Sequence, residues 1–289
     1  VVQPVGVTGT DGIATGTLTS TVAEPKTVKG TIDGSYIADS LEIDFTAGPV
    51  DLAVSTISSD TASATADGTD TVNLTVQVSD SEGNPVSGSS VLFEVSGSGN
   101  SVVQPVGVTG SDGIAAGTLA STVAELKTVK GTIDGSYIAD SLEINFTPGS
   151  LDQFIISSDG YAVAGAGENI TVETLDSEGN RITDFDGTVY IYTNTSEMAD
   201  RISWGIGTGT GTINSEDGDT LQYQYADTDN GVVSFIFTDT KAELINIIAE
   251  SGAVVNSSAN ITVDHAGQDR ILVYSGNNQR AVVDSPVPE

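Results

Sequence analysis

The chain repeats itself. Residues 1–49 and residues 102–150 are two copies of one stretch, offset by 101 positions, and only seven of the 49 aligned residues differ. A period of about one hundred residues confines the fold to small units that each close a core of their own. Other marks of modularity follow. The opening Leu151-Asp-Gln-Phe-Ile-Ile156 resembles Val50-Asp-Leu-Ala-Val54, and Gln268-Asp-Arg-Ile-Leu-Val-Tyr274 resembles both. The repeat therefore divides the chain into four segments: the later half of a module at 1–49, a complete module at 50–149, a second, divergent module at 150–264, and the first strand or strands of a further one at 265–289. With Val1 where a starting Met would stand, the chain reads as a window on a longer tandem array.

Inside the modules the hydrophobic period is two. Val72, Leu74, Val76 and Val78 alternate with Asn73, Thr75 and Gln77; Val91, Phe93 and Val95 alternate with Leu92 and Glu94. Ile170 and Val172 in the divergent module do the same, as do Tyr223 and Tyr225 between glutamines. Such alternation is a strand with one buried face. Turn signals such as Gly110-Ser-Asp-Gly113 and Asp229-Asn-Gly231 separate these runs, and no stretch has helical period. The expected fold class is all-β, with antiparallel sheets packed face to face.

Thr71–Gly97, TVNLTVQVSDSEGNPVSGSSVLFEVSG, resembles the start of the bacterial Ig-like group 1 domain, the type found in invasin and intimin. Gly113–Thr122 and Lys127–Ile133 resemble that family's later strands, and the divergent module is similar more loosely, through DSEGNRITDFDGTV. The resemblance implies tandem Ig-like β-sandwiches arranged as beads on a string. It also implies rod-like arrays that hold a binding tip away from a cell, without implying that these modules bind a receptor.

Charge narrows the partners. Forty acids face nine Lys and Arg, a formal net charge of −31, so nucleic acid lacks the basic footprint it needs. An anionic membrane surface is disfavoured likewise, and no apolar run of 18 residues offers a membrane span. Cysteine is absent, which fits a bacterial or archaeal surface protein better than an animal one.

The pentapeptide DSEGN occurs at 80–84 and again at 176–180. Asp or Ser to start a turn and Gly for positive φ make it a turn between the second and third strands of each module. The competing reading, a calcium loop, lacks the Glu that an EF-hand places at its end. Calcium remains an option at Asp184-Phe-Asp186, Glu216-Asp-Gly-Asp219 and Asp227-Thr-Asp229, each of which reads equally as solvated turn acids.

Catalysis finds few parts. His265 is the single histidine and falls at a module junction, where no carboxylate is arranged to hold it. Trp204–Gly211, WGIGTGTG, lacks the Lys and helix start of a phosphate loop and reads as a loop or edge strand. Tyr190 and Tyr192 face outward if Val189 and Ile191 face the core, and exposed aromatics can stack on sugars. Sequons at Asn73, Asn145, Asn169, Asn194, Asn256 and Asn260 are what a chain rich in Asn, Ser and Thr gives by chance. No catalytic, cofactor-binding or metal residue is assigned.

The half module 1–49 lacks its first strands. Five large apolar side chains without an opposing sheet forfeit on the order of 10 kcal/mol, about what a whole domain has. The missing strands must come from the rest of a longer protein or from another chain. These readings converge on a non-enzymatic, extracellular spacer in a cell-surface adhesin, whose partners are its neighbouring modules. The alternatives are a subunit of an extracellular filament, sheath or surface layer that pairs with other copies of itself, and a sugar-binding appendage of a secreted hydrolase. A host or cell-surface receptor remains a possible partner.

Overall fold

The computed structural model describes residues 1–195, 201–217 and 219–267. They form two compact units: Val1–Ser150 together with Asp176–Asn180, and Leu151–Leu175 together with Arg181 onward. Among the described residues almost all regular structure is strand, with a single 3-10 turn at Asp227–Asp229. The segment proposed as the start of a further module falls, from residue 268, outside the described residues.

The first unit contains ten strands: β1 Pro25–Ile32, β2 Ser35–Asp44, β3 Thr56–Ser59, β4 Ser63–Thr65, β5 Val72–Gln77, β6 Val91–Val95, β7 Asn100–Val103, β8 Ile114–Ser121, β9 Leu126–Ile133 and β10 Ser136–Thr147. Two four-stranded sheets, ordered β3-β5-β8-β7 and β4-β10-β9-β6, form a sandwich. Strand β5 shows why. Val72, Leu74 and Val76 are wholly buried while Asn73 between them is exposed, so the period read from sequence is the period of burial. Against them from the other sheet lie Phe93, Val129, Ile133, Ile144 and Phe146 in one continuous core. At roughly 1.5–3 kcal/mol for each large apolar side chain, this core is what holds the module together.

Each sandwich closes through a short strand that switches sheets. The chain leaves β3, which pairs antiparallel with β5, and three residues later pairs parallel with β10, Ala64 opposite Phe146. The pentapeptide therefore follows the third strand of the module and not the second. A three-residue strand carries too little alternation to be seen in sequence, and its pairing lies some 80 residues away.

Strands β1 and β2 form an isolated hairpin, with the same bulge position as β9 and β10 and a sequence that differs only at Pro25 against Leu126 and Asp44 against Asn145. Exposure differs sharply. Val28, Ile32 and Ile37 are 37%, 67% and 42% exposed, whereas their counterparts Val129, Ile133 and Ile138 are at most 4% exposed. The difference is the covering provided by β3–β7, which the hairpin lacks.

The second unit contains β11 Gln153–Ser157, β12 Tyr161–Val163, β13 Glu168–Leu175, β14 Thr188–Thr193, β15 Ile202–Thr208, β16 Thr212–Asp217, β17 Thr220–Gln224, β18 Val232–Asp239, β19 Glu243–Ile245, β20 Ile247–Ser251, β21 Val254–Ser257 and β22 Ile261–Asp264. Its main sheets run β11-β13-β18-β15 and β16-β17-β14-β20-β21, and β12-β22-β19 repeats the parallel closure seen in the first unit. Ile170, Val172, Val189, Ile191, Tyr223, Phe235 and Phe237 meet in its core, with Phe235 edge-on to Tyr223 at 5.2 Å. The glycine-rich stretch after Trp204 is the edge strand β15, as its composition suggests.

Candidate functional site

The acidic pentapeptide builds the most elaborate polar arrangement in the first unit. Asp80 Oδ1 accepts the backbone N–H groups of Glu82 and Asn84 at 3.0 and 2.8 Å, and Gly83 takes a φ of +82°. This is the side-chain-capped turn that the sequence predicts. The remaining groups face elsewhere. Asp80 Oδ2 accepts the N–H of Gly48 at 2.7 Å. Asn84 Oδ1 accepts the N–H of Ala23, and Asn84 Nδ2 donates to the Thr21 carbonyl, each at 2.9 Å. Nδ2 also donates to Asp80 Oδ2 at 2.9 Å, which locks the two side chains together.

The second copy, also within the first unit, repeats each of these bonds and adds one from Asn180 Nδ2 to the Ala66 carbonyl at 3.5 Å. Asp176 Oδ1 accepts from Glu178 and Asn180, and Asp176 Oδ2 accepts from Gly149. Asn180 Oδ1 accepts from Ala124, and its Nδ2 donates to Thr122 and to Asp176. Thr122, Ala124 and Gly149 are the repeat counterparts of Thr21, Ala23 and Gly48. Hydrogen bonding by the Asn84 side chain, and next by the Gly48 N–H, brings Asp80 down to about 2. Burial pushes Asp176 up, but Asn180 and three backbone N–H groups outweigh it and hold the carboxyl below its ordinary value.

The calcium candidates fare differently from one another. Asp229 is buried, and both its oxygens are occupied: Oδ1 by the N–H and hydroxyl of Thr210, Oδ2 by the Tyr223 hydroxyl and the Ala226 N–H. Burial and then Asp229 raise Tyr223 to about 12. Asp184, Asp186 and Asp227 are exposed turn residues. Glu216 accepts the Trp204 N–H, and the Asp219 carbonyl accepts the Trp204 indole N–H. Among the described residues no three His, Cys, Asp or Glu side chains gather as a metal group would require.

Val189 and Ile191 are wholly buried and Tyr190 is exposed, so the two tyrosines of β14 lie on the outward face. They are already engaged, Tyr192 donating to Glu250 at 2.8 Å and Tyr190 accepting from Gln222 at 3.3 Å. His265 is exposed beside Asp264, whose carboxylate accepts the His265 backbone N–H.

Sequence reasoning missed the partners of Asn84 and Asn180. The signal was available in part, because both copies of the pentapeptide keep Asn at the fifth position while the following residue changes from Pro85 to Arg181. It also missed Lys127, wholly buried, which donates to Glu125 at 2.6 Å and to the Ser98 carbonyl at 2.7 Å.

Residues 54–147 match the bacterial Ig-like domain (group 1). Among solved structures, the chain is similar to invasin, described as a bacterial integrin-binding protein, at 19% identity over 89% of this chain and 49% of that one, with a TM-score of 0.49. It is similar to the Escherichia coli adhesin FdeC at 17% identity, covering 85% of this chain and 74% of that one, with a TM-score of 0.47. For Yersinia pseudotuberculosis InvD the figures are 20% identity, 76% and 61% coverage and a TM-score of 0.43. The chain spans about half the length of the invasin structure. No curated protein matches it.

Proposed function

We propose that this chain is a non-enzymatic structural segment of an extracellular surface adhesin, acting as a spacer built from Ig-like modules. One observation carries the reading. Three of the acids that the sequence singles out are committed to the fold: Asp80, Asp176 and Asp229 have both carboxylate oxygens taken up by protein donors. A repeated module whose acids organise its own loops gives reach and solubility, and its charge of −31 keeps copies apart. The adhesins to which the chain is similar are consistent with this role.

The test is sedimentation of the purified chain over a wide concentration range, combined with glycan and cell-binding assays. The spacer reading expects a monomer at all concentrations and no binding above background. Polymerisation would favour the second reading, a filament or surface-layer subunit. Glycan binding lost on changing Tyr190 and Tyr192 to Ala would favour a sugar-binding appendage.

A further inference from the structure

The Asp80–Asn84 loop makes a set of contacts that its own turn does not need. A turn is complete once Asp80 Oδ1 caps the N–H groups of Glu82 and Asn84. Yet Asp80 Oδ2 and the whole Asn84 carboxamide reach back 32 to 63 residues, to Gly48, Ala23 and Thr21. Those partners belong to the preceding copy of the module: Thr21 and Ala23 to the strap before β1, Gly48 to the connection after β2.

We propose that this loop is a coupling site for the end of a preceding Ig-like module, and that it recognises backbone rather than side chains. All three recognised groups are main-chain atoms: one carbonyl and two N–H groups. The carboxamide presents an acceptor and a donor to Ala23 N–H and Thr21 C=O, as a neighbouring strand would. The receiving strap is set in advance, because Ser20 Oγ accepts the Val22 N–H at 3.1 Å and donates to the Val22 carbonyl at 2.8 Å. Ser121 does the same with Val123 in the other copy.

Recurrence separates this from a by-product of duplication. The second pentapeptide lies in sequence that is not a copy of the first, and its distance from the linker glycine is 27 residues instead of 32. The bonds to the strap and to the linker glycine are nonetheless the same. The coupling needs only Asp and Asn in the loop, met by the same strap and Gly in both copies. The inference holds whether the array is a spacer or a filament subunit.

Amide hydrogen exchange on the full chain, read residue by residue, tests it. Asn84→Ala leaves the Asp80-capped turn in place. The expected result is roughly five- to tenfold faster exchange at Ala23, the size of one lost hydrogen bond, with strands β5 and β6 unchanged. Asn180→Ala is expected to do the same at Ala124 and to leave Ala23 as it was; it carries the test if the first variant does not fold. An Ala23 or Ala124 amide that already exchanges freely in the parent overturns the proposal, and so does an acceleration spread equally through β5 and β6, which would make the Asn a support of its own sandwich.

Discussion

Lys127 lies with its ammonium 2.6 Å from Glu125 Oε1 and 5.9 Å from the centre of the Phe146 ring, its side chain wholly buried. The same two residue types occur as Glu24 and Lys26 in the first copy of the repeat, where the pair is partly solvated. A charge withdrawn from water needs its partner, whereas an apolar residue of similar length does not. Glu125→Gln is therefore expected to lower the thermal midpoint, because it removes the counter-ion from the buried Lys127. Lys127→Met is expected to leave the midpoint unchanged or raise it. Paired melts of the two variants check the order; a Met variant less stable than the Gln variant would contradict it.

Asp80 gives a pH dependence with a definite sign. Its folded value is about 2 against an ordinary 3.8, so the carboxylate is the form that the fold favours. The stability it adds is present above pH 3.8 and is lost as pH falls from there towards 2. Thermal midpoints across this window should fall more steeply for the parent chain than for Asp80→Asn. Parallel curves would show that the bonds from Gly48 and Asn84 do not depend on charge.

Two glycines with positive φ should respond unequally to Ala. Gly83, at +82°, has open space where a Cβ would go, so only the backbone conformation is penalised, by about 1–2 kcal/mol. Gly113, at +69°, would place its Cβ 2.6 Å from the Val78 carbonyl and 2.9 Å from Pro85. Gly113→Ala must displace backbone and is expected to cost more. Urea denaturation of both variants ranks them, and a larger loss at Gly83 would be the contrary result.

Tyr223 and Asp229 make a fourth comparison possible. Removing the hydroxyl in Tyr223→Phe takes one of four donors from Asp229 and also leaves the Gly211 N–H without its acceptor. A loss of roughly 1–2 kcal/mol is expected. Because the carboxylate is already saturated, calcium or a chelator should not move the thermal midpoint of the parent chain. A calcium-dependent rise would return the acidic turns to consideration as ion sites.

Much of the fold is legible in particular residues. Val72, Leu74 and Val76 alternate because one face of β5 is dry, and the same cause makes Tyr190 point outward from between Val189 and Ile191. The three-residue strands β4 and β12 are not legible, since their pairing with β10 and β22 is parallel and distant. The candidate site was half legible: the turn was written in Asp80 and Gly83, whereas the reach of Asn84 to Ala23 was not.

By itself the sequence determined the repeat spacing, the strand faces and the acidic, cysteine-free composition, because repetition and side-chain periodicity are properties of the string. Only the tertiary structure decided what DSEGN does beyond turning. Its partners are main-chain N–H and C=O groups, which every residue carries, so no choice of side chain in the strap announces that a carboxamide 61 residues later will meet it.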